Sequence, residues 1–293
     1  VQQERDNHSA YQDVTQYYDR NTPRFLRFSR GSGALHRKLW PPEVRNEAEA
    51  LLYVNSIILD ILKNALGDMI LPPDGKDSRG KSRTRIIDLG CGVGGTVFWL
   101  ADRIDAEFVG ITISPVQAEI ARNSAGLRDL HRRCSFQKAD MLDFEPEGRF
   151  HGAVAVESFS HGRDAAGFFK QASHLLLKGG VLILIDDVRT ESRERHTRDG
   201  TWTRRFARGW HLHSLMSVDH ITQCALESGL HLIENRNLTP LIRVHPALLF
   251  FLRPLQLIPL PWYFWDNIRG GIALQFCTRK GFTQYRCMTF RKD

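Results

Sequence analysis

Ile86-Ile87-Asp88-Leu89-Gly90-Cys91-Gly92-Val93-Gly94-Gly95 decides the fold. An apolar run ends near an acid, glycines then alternate with other residues, and an apolar segment resumes. Arg85–Leu89 reads as a short buried strand and Gly94–Asp102 as a helix, so the glycines form the turn between them. Glycine lets the backbone turn tightly and approach a ligand closely. The start of the following helix offers free amides to an anionic group. Such a loop does not by itself name its ligand, because dinucleotide-binding dehydrogenases use a similar turn.

Strands and helices go on alternating towards the C-terminus. Glu107–Ile111, Ser135–Lys138, Gly152–Val156, Val181–Ile185, Leu230–Glu234 and Phe282–Phe290 read as further strands. Ser114 and Pro115 open a helix with a capping serine and a proline in the first turn. Asp164–Leu177 is a helix ended by Lys178-Gly179-Gly180, and Val218–Ser228 is another. The alternation implies an α/β fold with a mostly parallel, seven-stranded sheet covered on both faces. Upstream, Leu51, Val54, Ile58, Ile61, Leu62 and Leu66 recur at helical spacing within Glu47–Leu66, and Gly67 is placed to stop that helix.

The chain therefore divides into an N-terminal helical cap (1–70), a Pro-, Gly- and charge-rich linker (71–84) and a core (85–293). Two insertions interrupt the core, 189–216 and 238–280. The first carries seven arginines, three Trp or Phe residues and three histidines. The second is rich in Leu, Phe, Trp and Pro. Its segment Leu241–Ile268 is apolar, but Arg243, His245, Arg253 and four prolines break it. It reads as a lid or pocket wall and not as a membrane span.

At 293 residues, 42% apolar and 25% charged, the chain can bury an ordinary core and is no disordered tail. Its five cysteines are an odd, widely spaced set without a Cys-x-x-Cys pair, which argues against a disulfide framework or zinc knuckle and fits a reducing cytoplasm. The chain opens without a charged-then-apolar leader, so a cytoplasmic location is expected. The net charge of +7 suggests an anionic partner. Arginines interleaved with aromatics could serve nucleic acid or a diphosphate with a greasy tail. The apolar 241–268 segment favours the second, so no nucleic-acid partner is expected. An RNA-binding protein with a degenerate enzyme fold is the non-enzyme competitor. A homo-oligomer is compatible with the sequence.

The spacing Asp88-x-Gly90-x-Gly92-x-Gly94 resembles motif I of the Rossmann-like class I methyltransferases, whose cofactor is S-adenosyl-L-methionine (SAM). The resemblance covers roughly residues 85–235. It implies that Asp88, Gly90, Cys91 and Gly92 back the methionyl part. Most members end the second strand with an acid. Here it ends Gly110-Ile111-Thr112-Ile113-Ser114, followed by Gln117. This resembles the branch holding cyclopropane fatty acid synthases and sterol and prenyl carbon methyltransferases. Thr112, Ile113 and Gln117 would then serve the ribose and methionyl regions, and Asp140 and Met141 the adenine.

Val154-Ala155-Val156-Glu157-Ser158-Phe159-Ser160-His161 ends the fourth strand at the ligand edge of an open parallel sheet. Glu157 either pairs with an arginine as a structural residue or acts as a base beside the sulfonium. In the resembling carbon methyltransferases a glutamate at this place lies beside the reacting carbon. Attack of an alkene on a methyl group leaves a carbocation, which aromatic faces stabilise and a carboxylate quenches by taking a proton. Tyr17, Tyr18, Trp40, Phe159, Trp202, Trp210, Trp262, Phe264 and Trp265 are the candidate rings.

Tyr17-Tyr18-Asp19-Arg20-Asn21-Thr22-Pro23-Arg24-Phe25-Leu26, with Leu35-His36-Arg37-Lys38-Leu39-Trp40-Pro41-Pro42, resembles the substrate cap of bacterial prenyl-diphosphate and terpenoid carbon methyltransferases. With Glu157–His161 they resemble the geranyl diphosphate methyltransferases of actinomycete secondary metabolism. The resemblance implies C-methylation of geranyl diphosphate, C6 ahead of C2, with magnesium accompanying the diphosphate. It also implies substrate contacts from Tyr17, Tyr18, Asn21, Arg24, His36, Arg37, Trp40, Phe159, His161, Arg204, Trp210 and His211. The metal ligands stay unassigned, since Asp186-Asp187 is not an aspartate-rich terpene synthase motif. Two other readings remain open: a methyltransferase that alkylates the prenyl chain of an alkaloid and triggers cyclisation, and a cyclopropane synthase.

Overall fold

The computed structural model describes residues 14–23, 26, 33, 36–67, 83–190, 200–244 and 262–293. Helix α1 (14–23) leads to α2 (Glu47–Leu66). The Asn46 side chain caps α2 by accepting from the Glu49 amide, acids fill its first turn, and Gly67 follows its end at φ 51°. Val54, Ile58 and Leu62 are fully buried. Each such side chain contributes about 1.5–3 kcal/mol of apolar burial.

The core follows as β1 (Thr84–Leu89), α3 (Gly95–Ala101), β2 (Ala106–Thr112), α4 (Pro115–Leu127), β3 (Cys134–Lys138), β4 (Phe150–Val156), α5 (Ala165–Leu175) and β5 (Leu176–Arg189). Then come α6 (Gly200–Gly209), α7 (Val218–Glu227), β6 (Leu230–Asn237), α8 (Trp262–Lys280) and β7 (Thr283–Lys292). The seven strands lie in the order β3-β2-β1-β4-β5-β7-β6. Only β7 runs antiparallel to its neighbours. One core cluster packs α2 and α3 against one face, and a second packs α5 and α7 against the other. This is the α/β architecture with a mostly parallel sheet expected from the alternation, and it fits the class I, Rossmann-like methyltransferase fold that the resemblance implies.

Three expectations need correction. The helix expected over Asp164–Leu177 ends at Leu175, because Leu176 already pairs with Phe150 of β4. Gly179 and Gly180 accordingly lie in β5 and do not cap a helix. Strand five is far longer than Val181–Ile185, since β7 pairs with it from Val181 through Arg189. The linker expected over 71–84 overlaps β1 at Thr84, and the rest of it up to residue 82 lies outside the described residues. Of the expected lid, residues 245–261 also lie outside them; a short 3-10 turn over Thr239–Leu241 precedes them, and α8 follows them and packs on α6. Among the described residues no helix is long and apolar enough to cross a membrane.

Candidate active site

The strand order reverses between β1 and β4, and the carboxyl ends of β1, β2 and β4 open a crevice there. A cavity of about 230 Å3 fills it. Asp88 and Gly90–Gly92 line it from β1, Ile111–Ile113 from β2, and Val156–Ser158 from β4. Val14, Tyr17 and Tyr18 of α1 close it from above, with His36, Gln117, Met141, His161 and Trp210 at its sides.

Gly90 stands at φ 94°, and a Cβ built there would come 2.4 Å from Ser158 Cβ. Ser158 donates its hydroxyl to the Leu89 carbonyl, so the loop after β1 and the turn after β4 are locked together at this glycine. Burial pushes the Asp88 carboxyl up to about 7.

Thr112 Oγ1 donates to Gln117 Oε1 at 2.9 Å. Gln117 Nε2 in turn donates to Thr22 Oγ1 at 3.2 Å, and Ser114 pairs with Asp19. The residues expected to serve the cofactor ribose therefore also dock α1. Asp140 accepts from the Leu142 amide at 3.0 Å and does not line the cavity, whereas its neighbours Ala139 and Met141 do.

Glu157 sits directly after β4 at φ 49°, an uncommon conformation for a side chain of its kind. Its amide donates to the Ile185 carbonyl at 2.8 Å. Its Oε1 accepts from the Arg37 amide at 2.7 Å and from Tyr285 Oη at 2.8 Å. The Arg37 guanidinium pairs with Asp187 and lies 5.1 Å from the Tyr285 ring centroid. Burial raises the Glu157 carboxyl; the Arg37 charge, the Arg37 amide and the Tyr285 hydroxyl pull it back, and burial prevails.

Asp186 accepts from the amide and hydroxyl of Ser160 at 3.0 and 2.9 Å, and burial lifts it to about 7. Asp187, also lifted by burial, stands at about 6 despite Arg37. Tyr18 Oη lies 2.8 Å from His161 Nε2, and burial drives His161 down to about 4. Burial does the same to His36. Both rings are neutral at pH 7.

The remaining expected substrate residues are spread over several places. His211 sets its ring at a tilt to that of Tyr17, centroids 4.7 Å apart, and Arg37 reaches Glu157 through its backbone. Asn21 is turned onto its own helix, donating to the Tyr17 carbonyl at 2.8 Å. Trp40 is covered by the Arg243 guanidinium at 3.9 Å, and Phe159 packs 5.0 Å from Phe168 in the core. Arg204 is exposed on α6. Trp202 stacks on Phe276 at 4.3 Å in a separate cluster. Arg24 and the side chains of Trp262, Phe264 and Trp265 lie outside the described residues. Sequence reasoning missed Tyr285 and the Arg37–Asp187 pair. Tyr285 becomes visible only through the register that sets it opposite Asp187.

A glycine loop, a switch-point cavity and an acid after β4 together define a class I methyltransferase fold with its site at the β1–β4 crevice. Residues 79–243, more than half of the chain, match the family model "Mycolic acid cyclopropane synthetase", and the chain belongs to that family. A tocopherol O-methyltransferase from Arabidopsis thaliana is 40% identical over 107 residues, covering 36% of this chain and 30% of that protein. The chain spans about a third of the length of the curated relatives it matches in this range. Among solved structures, the cyclopropane synthase MmaA2 from Mycobacterium tuberculosis superposes with a TM-score of 0.74 at 19% identity, over 96% of this chain and 98% of that one. The geranyl diphosphate C-methyltransferase from Streptomyces coelicolor A3(2) gives 0.70 at 20% identity, over 97% and 98%.

Proposed function

We propose that the chain is a SAM-dependent C-methyltransferase that methylates an alkene carbon of a prenyl chain, with Glu157 as the base. The observation that carries this reading is Glu157 itself: a half-buried carboxylate after β4, lining the cavity beside the glycine loop and clamped by two donors. The cavity suits a cationic cofactor. Two acids, Asp88 and Glu157, line it, and among the described lining residues there is no Lys or Arg. Asp88 and Gly90–Gly92 would hold the methionyl part, Thr112, Ile113 and Gln117 the ribose, and Met141, with Asp140 beside it, the adenine. When bound, SAM supplies an electrophilic methyl group on a sulfonium.

The chain's own residues do the rest. Holding the alkene in line with that methyl group accounts for much of the rate. Tyr17, Tyr18 and Trp210 present rings to the cavity. Each ring stabilises a substrate cation by about 0.5–2 kcal/mol. The Glu157 carboxylate then takes a proton from the carbon next to the cation. The C–H electrons become the new double bond, and the proton stays on Glu157.

Geranyl diphosphate methylated at C6, or less favourably C2, in secondary metabolism is the substrate reading that the sequence resemblance supports. Among the described residues no cluster of three or more His, Cys, Asp or Glu could hold a metal, so magnesium would enter with the diphosphate. A second reading has support of its own. The described lining lacks cations, His36 and His161 are neutral, and Arg204 is exposed. A prenyl chain on an uncharged molecule suits that lining. A cyclopropane synthase acting on lipid is a third outcome.

Incubation with SAM and a panel tests this: geranyl diphosphate with magnesium, an uncharged geranylated aromatic, and unsaturated phospholipid vesicles. A product heavier by one CH2 with one of the first two is expected. Cyclopropane lipid as the only product, or no methylated product at all, contradicts the proposal.

A further inference from the structure

We propose that Tyr285 is a positioning residue that fixes the Glu157 carboxylate and sets the pH range over which it accepts a proton. The inference rests on the reading of Glu157 as the base. Tyr285 is fully buried in β7, 128 residues from Glu157 along the chain. Its hydroxyl donates to the same Oε1 that accepts from the Arg37 amide. One oxygen is thereby held at two points. The antiparallel register places Tyr285 opposite Asp187, and Asp187 holds the Arg37 guanidinium beside the Tyr285 ring. Tyr285, Arg37 and Asp187 therefore close a frame around one face of the base.

The groups that face Glu157 come from four elements. Arg37 and Tyr285 favour its ionised form, while Tyr18 of α1 and Asp186 and Asp187 of β5 share its electrostatic environment. Of these, the Tyr285 hydroxyl can be removed by deleting one oxygen, with the ring and the Arg37 contact kept. A neutral donor removed from a buried carboxylate weakens its ionised form by about tenfold, which is about one pH unit upwards.

The test titrates Glu157 in the free protein and so does not depend on finding a substrate. Chain carrying 13C-carboxyl glutamate is followed by NMR against pH, with Glu157→Gln identifying the resonance. Tyr285→Phe is expected to raise the Glu157 midpoint by about one unit, with SAM affinity little changed. If Tyr285→Phe does not fold, Glu157 is titrated instead in wild type with its tyrosines replaced by 3-fluorotyrosine, a stronger donor, and its midpoint is expected to fall. An unchanged midpoint in the protein that is measured overturns the proposal. With an active substrate, the acid limb of kcat is expected to move with the midpoint while KM stays. A uniform fall in kcat at every pH would instead mark Tyr285 as merely structural. Near-normal turnover in Glu157→Gln would remove the base reading alone, since the titration stands without it.

Discussion

Tyr18 Oη and His161 Nε2 meet at 2.8 Å across the cavity wall, joining α1 to the turn after β4. His161 Nδ1 lies 3.3 Å from the His211 carbonyl, which can only accept. The neutral ring therefore carries its proton on Nδ1 and accepts from Tyr18 on Nε2. Removing the Tyr18 hydroxyl leaves a half-buried acceptor without its protein donor. Tyr18→Phe is expected to cost about 1–3 kcal/mol of unfolding free energy in urea. An unchanged midpoint would mean that the bond is not made in solution.

Asp88 gives a pH dependence of definite sign. Its carboxyl rises from 3.8 to about 7 on burial, so the folded protein keeps a proton that the unfolded chain has lost. That contribution to stability is complete below about pH 4 and is lost as the pH rises through 7. Asp88→Asn removes the titration. Its stability relative to wild type is expected to grow by about 2–3 kcal/mol between pH 5 and pH 8. Asp186, Asp187, His36 and His161 titrate in both proteins and cancel in the difference. An equal offset at the two pH values would show that Asp88 titrates like an exposed aspartate.

Much of this site was legible because its signals are local. The apolar run, the glycines and the following helix lie within about fifteen residues, and strand β4 ends in the sequence where Glu157 appears. The frame around Glu157 was not legible, because Arg37, Asp187 and Tyr285 come together only through the docking of the N-terminal segment and the antiparallel addition of β7. Phe159 illustrates the opposite error. It stands two residues after Glu157, yet the tight turn over Phe159–His161 sends its ring into the core beside Phe168 and Phe169. Composition could place aromatic residues near the site without telling which way they face.

Gly90 tests the glycine loop. Gly90→Ala combines a positive φ with a Cβ 2.4 Å from Ser158 Cβ. A loss of more than about 2 kcal/mol is expected, with SAM binding weakened at least about tenfold by calorimetry. Gly229→Ala has a similar φ of 74° but open space, and should cost about 1 kcal/mol with SAM binding intact. Equal behaviour of the two variants would remove the steric argument.

Arg204 projects from α6 into solvent. Arg204→Gln is expected to leave the KM for geranyl diphosphate within about twofold, as for a solvated surface charge. A rise of about tenfold or more would place the substrate diphosphate on α6.

The most direct measurement is single-turnover formation of the deprotonated, methylated alkene by Glu157→Gln under saturating SAM and the best substrate of the panel. A general base contributes about 10²–10⁴-fold. The amide variant should bind SAM as wild type does and lose at least about a hundredfold in rate. Alkene formation within about threefold of wild type would show that some other group takes the proton.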